Sequence, residues 1–220
     1  MKLELNKSIY DHRETILVNI KSRVNLNWHQ IYPSWYIEAN KDLSHIKSLI
    51  EDKYRVNIPF WLIALLCSVL SPANRWETNK KDILSLFDRY FIESSNPSFF
   101  TYGQNVVKGL AILDEYIKKP DLFAQGYFVD KYLKTSKVYD FFYSLLLSKN
   151  HFVIDRHMLT IAGIDSKGKF PTKKQYEFLR DCFLEVYQTE NLDSRFKSKS
   201  FFQAWLWVCY QYNFKGVSHY

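Results

Sequence analysis

The feature that most constrains the fold of this chain is a long apolar run at 58–70, with the sequence IPFWLIALLCSVL. Pro59 suits the first turn of a helix, where its missing N–H is not needed. Such a helix would carry apolar side chains on nearly every face, so other elements must surround it. The run is too short to span a bilayer. It therefore predicts the central helix of a core, ending at Ser71-Pro72.

Apolar residues recur at helical spacing along most of the remaining chain, and no run of alternating residues predicts strands. With only 6 Gly and 6 Pro, the composition also argues against a loop-rich sandwich. We therefore predict an all-α fold. Asn74 is the predicted N-cap of the helix in 72–91, with Glu77 as its capping-box partner. The other predicted helices are 7–24, 37–53, 99–118, 173–190 and 201–213, with 121–131 a helix or an irregular link and 191–200 a basic, exposed stretch.

The net charge of +7 at pH 7 and the pI of about 9.1 have two interpretations. One is that the charge only keeps the protein in solution. The other is a polyanionic partner, and for a basic chain in which 18% of the residues are aromatic, nucleic acid is the first candidate. Charge by itself does not decide between the two.

The three cysteines, Cys67, Cys182 and Cys209, lie far apart and form no CxxC pair. A metal knuckle or an iron–sulfur cluster is therefore not expected. An odd number of cysteines in apolar surroundings predicts reduced, buried thiols in a cytosol-like compartment. The N-terminal sequence MKLELNKSIYDHRE contains no apolar core of a secretory signal. We expect a cytoplasmic or nucleoid-associated protein that uses no cofactor or metal and does not enter a membrane.

No nucleotide-binding glycine loop, GxSxG elbow or HExxH motif occurs, which leaves acid, base and amine chemistry. The segment 133–163 has the residues for such chemistry. Its pattern predicts a turn, a helix, a short apolar link and a second helix. Lys137 would begin the first helix and Asp155 the second. A cation and an anion at these positions would be held rigidly and could face one cleft.

Each of these residues has a structural and a functional interpretation. Asp155 can be an ordinary N-cap, or a rigid anion that stabilises a sugar cation or activates a nucleophile. Lys137 can be a solvated surface lysine, or a nucleophile if burial or a neighbouring cation such as Lys134 lowers its pKa. His157 is interpreted as a packing or hydrogen-bonding residue rather than a proton shuttle.

Four parts of the chain match one known pattern in the same order. They are a leucine-leucine-serine turn at 65–71, a helix with an inward asparagine at 76–79, a tyrosine and polar residues before an apolar stripe at 102–113, and a valine-aspartate-x-histidine motif that Ile154-Asp155-Arg156-His157 fits. Lys137 lies eighteen residues before Asp155. Over roughly residues 58–163, this order and spacing resemble the helix-hairpin-helix DNA glycosylase superfamily, which includes endonuclease III. In the family's lyase members a lysine and an aspartate at this spacing are catalytic.

The resemblance implies a single domain, 1–220, of two helical lobes with a cleft between them, acting as a monomer on double-stranded DNA. The implied activity is cleavage of the base–sugar bond of a damaged or modified nucleotide, as in base excision repair, together with abasic-site lyase activity. Asp155 would stabilise the sugar cation and Lys137 would form a Schiff base. The residues that would contact DNA are Lys131, Lys134, Thr135, Ser136 and Arg156, and, near the position where the family inserts a glutamine into the duplex, Asn74 and Arg75.

The chain also departs from the family pattern. The family's hairpin carries glycines whose backbone amides contact a phosphate, whereas this chain has Leu133-Lys134-Thr135-Ser136. The family's four-cysteine cluster site is absent from the sequence. The sequence is therefore interpreted as a divergent branch. Two alternatives stay open: a nucleic-acid-binding module that has kept the fold without the chemistry, and a helical interaction protein.

Overall fold

The computed structural model describes residues 3–24, 35–72, 74–92, 96–119 and 125–215. This part of the chain is mostly helical and contains two very short strands, in agreement with the predicted all-α class. The helices are α1 Arg13–Val24, α2 Trp35–Tyr54, α3 Phe60–Leu70, α4 Trp76–Phe91, α5 Gly103–Lys118, α6 Gln125–Tyr132, α7 Ser136–Leu145, α8 Arg156–Ile161, α9 Lys173–Thr189 and α10 Lys199–Lys215. Strands β1 (Leu3–Glu4) and β2 (Ile164–Asp165) pair in parallel.

The chain divides into two compact units. Unit 1 consists of Met1–Tyr36 and Leu147–Tyr220, so both ends of the chain contribute to it. Unit 2 is the continuous middle part, Ile37–Leu146.

Helix α3 is the centre of unit 2, as the apolar run predicts. It packs against α4, α5, α6 and α7. Every residue from 62 to 70 is buried, which accounts for apolar side chains on all faces of one helix. Pro59 is the N-cap of α3 rather than a residue of its first turn, and Ser71 follows as the C-cap.

Helices α1, α8, α9 and α10 share the core of unit 1. Gly163 ends α8 with φ +78°, a left-handed conformation that favours glycine. A Cβ added at Gly163 would lie 2.2 Å from Asn19 Nδ2. That amide donates to the carbonyl oxygen of Ala162 at 3.1 Å. The absence of a side chain at 163 therefore lets Asn19 of α1 hydrogen-bond to the end of α8.

Three local predictions differ from the structure. The predicted helix 7–24 begins with a 3₁₀ helix, Lys7–His12, before α1. Helix α4 begins at Trp76, so its N-cap is Arg75 rather than the predicted Asn74. The side chain that accepts the N–H of this N-cap is that of Thr78 rather than the predicted Glu77. The stretch 191–200 is not uniformly exposed, since it buries Leu192, Phe196, Ser198 and Ser200. Residues 120–124 lie outside the described part, and α6 follows them.

Candidate functional site

Asp155 is the N-cap of α8, as the local sequence predicts. It lies in unit 1. Its Oδ1 accepts the backbone N–H groups of His157 and Met158, both at 2.9 Å. The preceding residues 152–154 are buried and anchor the link to α8. Oδ2 receives no hydrogen bond from the described residues, and the side chain is only partly buried. The result is a carboxylate that is fixed through one oxygen and whose other oxygen can contact a ligand.

His157, two residues later, is a packing residue, which agrees with its interpretation from the sequence. The amide nitrogen of Gln211 lies 2.8 Å from its Nε2 and 3.2 Å from its Nδ1, so this amide donates to the imidazole. The imidazole ring lies 5.8 Å from the ring of Trp207 and 5.7 Å from that of Tyr210. The first turn of α8 is thereby packed against α10.

Half-buried rings continue from this point and form what we call the Trp207 cluster: Trp35, His157, Trp207 and Tyr210. The rings of Trp35 and Trp207 are 5.7 Å apart. The neighbouring Tyr36 is buried and donates its hydroxyl to Gln203 at 2.8 Å. Half-buried aromatic rings packed on the helix turn that begins at Asp155 can contact a flat, ring-shaped ligand such as a base. The sequence did not single out this cluster, although its aromatic residues at helical spacing in α10 were visible.

Lys137 lies in the first turn of α7, as predicted, and its side chain is half-buried. The preceding N-cap, Thr135, makes no side-chain hydrogen bond to the helix. Lys137 belongs to unit 2 and Asp155 to unit 1. A cleft shared by the two residues therefore stays a prediction.

Lys131 forms an ion pair within the protein. Its Nζ donates to both carboxylate oxygens of Glu115, each at 2.7 Å, and the hydroxyl of Tyr132 donates to the same carboxylate at 2.7 Å. These hydrogen bonds, that of Lys131 foremost, lower the pKa of Glu115 to about 2. Burial, with the hydrogen bond to Glu115, raises the pKa of Tyr132 to about 12. This arrangement ties α6 to α5 and neutralises a charge that the sequence assigned to DNA binding.

Lys134, Thr135 and Ser136 form or follow the short turn between α6 and α7. Lys134 is exposed, and its Nζ donates to the carbonyl oxygen of Asp130 near the end of α6. Thr135 is exposed and Ser136 half-buried. Arg156 is exposed at the first position of α8, in unit 1. The side chains of Lys134, Thr135 and Arg156 can therefore reach a ligand in solvent.

Asn74 and Arg75 differ from one another. The amide of Asn74 donates to Asp82 Oδ2 at 2.7 Å and its carbonyl accepts the Thr78 hydroxyl at 3.0 Å, so this side chain holds the start of α4 together. The buried Asp82 also accepts the backbone N–H groups of Phe100 and Thr101. Arg75 is exposed. Of the two predicted DNA contacts, Arg75 has its side chain in solvent and Asn74 is engaged in the fold.

Lys108, on α5, is the lysine that sequence reasoning missed. Burial and the charge of Lys134 together lower its pKa. The sequence-based hypothesis that Lys134 lowers the pKa of Lys137 stays a prediction. One signal was present: Lys108 lies one turn before the buried Ile112 and next to the buried Gly109, so helical spacing places it beside the apolar stripe.

Among the described residues, no group of three or more His, Cys, Asp or Glu side chains is arranged to hold a metal ion. No helix in the described ranges is long and apolar enough to cross a membrane. No protein-family model matches the chain, and neither a curated protein nor a solved structure shows significant similarity to it. Membership of the helix-hairpin-helix glycosylases therefore stays a prediction.

Proposed function

We propose that the chain is a DNA glycosylase-like enzyme that cleaves the bond between the sugar and a damaged or modified base. The observation that carries this proposal is the geometry of Asp155. One oxygen is fixed by two backbone N–H groups, the other receives no hydrogen bond from the described residues, and the half-buried Trp207 cluster packs on the same turn of α8. A carboxylate held in this way needs little reorganisation to stabilise a developing positive charge.

In the proposed reaction the target nucleotide leaves the duplex and its base stacks on the Trp207 cluster. As the C1′–N bond breaks, its electron pair leaves with the base, and positive charge develops on the sugar ring. The Asp155 carboxylate stabilises that charge, as carboxylates do in glycoside cleavage. Water then adds to C1′, its proton passes to Asp155, and the departing base takes up a proton from solvent.

Abasic-site lyase activity would require an amine in its neutral form. The family resemblance assigns this role to Lys137, which lies in the first turn of α7. The amine would attack C1′ and give an imine with loss of water, which borohydride reduces to a stable adduct. Trapping that disappears in Lys137→Ala supports the resemblance, whereas trapping that survives Lys137→Ala assigns the role to another amine.

The direct test is product analysis by mass spectrometry with duplex oligonucleotides that each carry a different modified base. Release of a free base from at least one of them is the expected result. Binding that weakens as salt increases, without release of any base, would contradict the proposed chemistry. Absence of any salt-sensitive binding would contradict a nucleic-acid partner as well, and would favour the helical interaction protein.

A second candidate is a nucleic-acid-binding module without catalysis. The observation that favours it is that the two hydrogen bonds of Asp155 Oδ1 are those of an ordinary N-cap. In that case Asp155 only stabilises α8, and Lys134, Thr135, Arg75 and Arg156 would hold the phosphate backbone. Replacing Asp155 would then change the free energy of unfolding and leave DNA affinity unchanged.

A further inference from the structure

The loop between β2 and α9 is held on unit 1 at both of its ends. At its start, the backbone N–H of Lys169 donates to the carbonyl oxygen of Ser166 at 2.8 Å and closes a turn. At its end, Thr172 caps α9 in a capping box with Gln175. Gln175 Nε2 also donates at 2.9 Å to the carbonyl oxygen of Asn6, the N-cap of the 3₁₀ helix Lys7–His12. The side chains of this loop are therefore presented from a fixed backbone.

One large aromatic side chain of this loop lies in solvent. Phe170 is 68% exposed, whereas the other described phenylalanines of unit 1 are buried or half-buried. A single exposed apolar side chain is common on protein surfaces and is not evidence of a contact by itself. What distinguishes Phe170 is the set of charged and aromatic residues around it.

Three lysines accompany this ring in the loop and in the first turn of α9. Lys169, Lys173 and Lys174 are exposed, and none of them forms an ion pair with a described residue. Lys167, in the same loop, differs because it is paired with Glu4. The first turn of α9 contains no acidic residue, and the helix dipole disfavours cations there. The fold therefore leaves the charge of these three lysines uncompensated.

A second pair of rings lies one turn further along α9. Phe178 follows Lys174 by four residues, so their Cβ atoms lie about 5–6 Å apart on one face of the helix. Tyr10, from the 3₁₀ helix, packs edge-on against Phe178 with ring centroids 5.0 Å apart. Tyr10 is 41% exposed and Phe178 is half-buried. Lysines and aromatic rings therefore follow one another along this part of unit 1.

We propose that this surface binds a single-stranded polynucleotide. We call it the α9 strip, and it consists of Tyr10, Lys169, Phe170, Lys173, Lys174 and Phe178. Surfaces that bind single strands combine cations that hold the phosphates with rings on which bases stack. A duplex keeps its bases stacked on one another and offers these rings no partner. The α9 strip goes beyond the proposed base release, because it requires neither Asp155 nor a flipped nucleotide.

An anionic membrane surface is the alternative partner, since lipid headgroups also attract lysines. Insertion into a membrane needs an apolar face made of several side chains. The loop sequence 166–172, SKGKFPT, has Phe170 as its single large apolar residue. Stacking needs only one face of one ring for each base. The composition of the loop therefore favours a nucleic acid over a lipid.

The ring is tested with a fluorescein-labelled oligothymidine, whose anisotropy reports binding to the full chain. Phe170→Leu keeps an apolar side chain without a ring and should weaken binding by about tenfold, whereas Phe170→Trp should bind like wild type. Phe100, 63% exposed in unit 2, offers a matched control, and Phe100→Leu should leave the affinity unchanged. Wild-type affinity in Phe170→Leu, or an equal loss in Phe100→Leu, would refute the α9 strip.

The lysines are tested by the salt dependence of the same binding. Each phosphate contact on a single strand contributes about 0.7 to the slope of log affinity against log salt. The double variant Lys173→Gln/Lys174→Gln should therefore lower that slope by about 1.4. Lys118→Gln, at an exposed lysine paired with Asp114, should leave it unchanged. An unchanged slope in a double variant with wild-type circular dichroism would show that these lysines do not hold phosphates, and the proposal would be wrong.

Two further ligands identify the partner. Phe170→Leu should leave the affinity for a duplex oligonucleotide unchanged, and an equal loss on the duplex would overturn stacking on unpaired bases. Vesicles of phosphatidylserine and phosphatidylcholine should not bind through Phe170. Vesicle binding without oligothymidine binding would overturn the proposal in favour of a membrane. Asp155→Asn should bind oligothymidine like wild type, so failure of the glycosylase proposal and failure of this one give different results.

Discussion

The tie between Glu115 and Lys131 gives a prediction that separates a structural lysine from a DNA contact. Glu115 Oε1 accepts from Lys131 Nζ at 2.7 Å and from the Tyr127 hydroxyl at 2.9 Å, while Oε2 accepts from the same Lys131 nitrogen at 2.7 Å and from the Tyr132 hydroxyl at 2.7 Å. In Glu115→Gln the charge is lost, and one acceptor becomes an NH₂ group that faces donors. Unit 2 should therefore become less stable.

The magnitude follows from the pKa of Glu115, which is about 2 in the folded protein against an ordinary value of 4.5. That difference corresponds to at most about 3 kcal/mol. The Lys131 side chain is 44% exposed, so solvent screens the pair, and we expect Glu115→Gln to cost about 1 kcal/mol at pH 7. Because the folded-state pKa is lower than the unfolded-state pKa, this stability is fully present above pH 4.5. It is lost as the pH falls from 4.5 towards 2.

The assay is urea unfolding of wild type, Glu115→Gln, Lys131→Met and the double variant. At pH 7 the double-mutant cycle should give a favourable coupling between Glu115 and Lys131, and the penalty for Glu115→Gln should shrink below pH 4.5. DNA affinity of Lys131→Met should stay near that of wild type, while Lys134→Met weakens it. Loss of DNA affinity in Lys131→Met with an unchanged free energy of unfolding would refute this reasoning and restore Lys131 as a phosphate contact.

Three further predictions concern the cores. Asp82→Asn should lower the free energy of unfolding, measured in urea, by about 3 kcal/mol, because the buried carboxylate accepts two backbone N–H groups. As a control, Asp88→Asn on the same helix should lower it by less than about 1 kcal/mol. Burial raises the pKa of all three thiols, that of Cys182 to about 11 and that of Cys209 to about 12. Iodoacetamide at pH 8 should therefore label Cys67, Cys182 and Cys209 only after unfolding. Rapid labelling of the native protein would contradict their burial. Trp205→Leu, at a fully buried position, should lower the free energy of unfolding by about 2–4 kcal/mol. Trp207→Leu, in the half-buried cluster, should lower it by less than about 1 kcal/mol and should weaken nucleic-acid binding. A binding curve identical to that of wild type would count against the Trp207 cluster as a stacking surface.

The parts of the fold that the sequence predicts are those set by neighbouring residues. The apolar run identifies α3 as a core helix, because no other arrangement hides side chains on every face. Asp155 and Lys137 are recognisable at helix starts, since capping depends on residues within one turn. The start of α4 was one residue off, because two neighbouring polar residues competed for the N-cap position.

The parts that the sequence did not predict depend on which helix faces meet. Lys131 looked like a surface cation until Glu115, sixteen residues earlier, was found on the facing helix. The influence of Lys134 on Lys108 requires the packing of α5 on α6, which periodicity does not specify. The stretch 191–200 was interpreted from its charges alone, yet Phe196 is buried against Phe202 and Trp205 in the core of unit 1.

The central claim is that Asp155 performs chemistry as well as capping α8. The most direct measurement is single-turnover base release by Asp155→Asn, on a substrate that wild type cleaves and with DNA affinity recorded in parallel. Asparagine caps a helix about as well as aspartate, so folding and binding should persist while the rate falls by about a hundredfold or more. Asp165→Asn, a change at an exposed position of β2, should leave the rate unchanged. A wild-type rate of base release in Asp155→Asn would contradict the account.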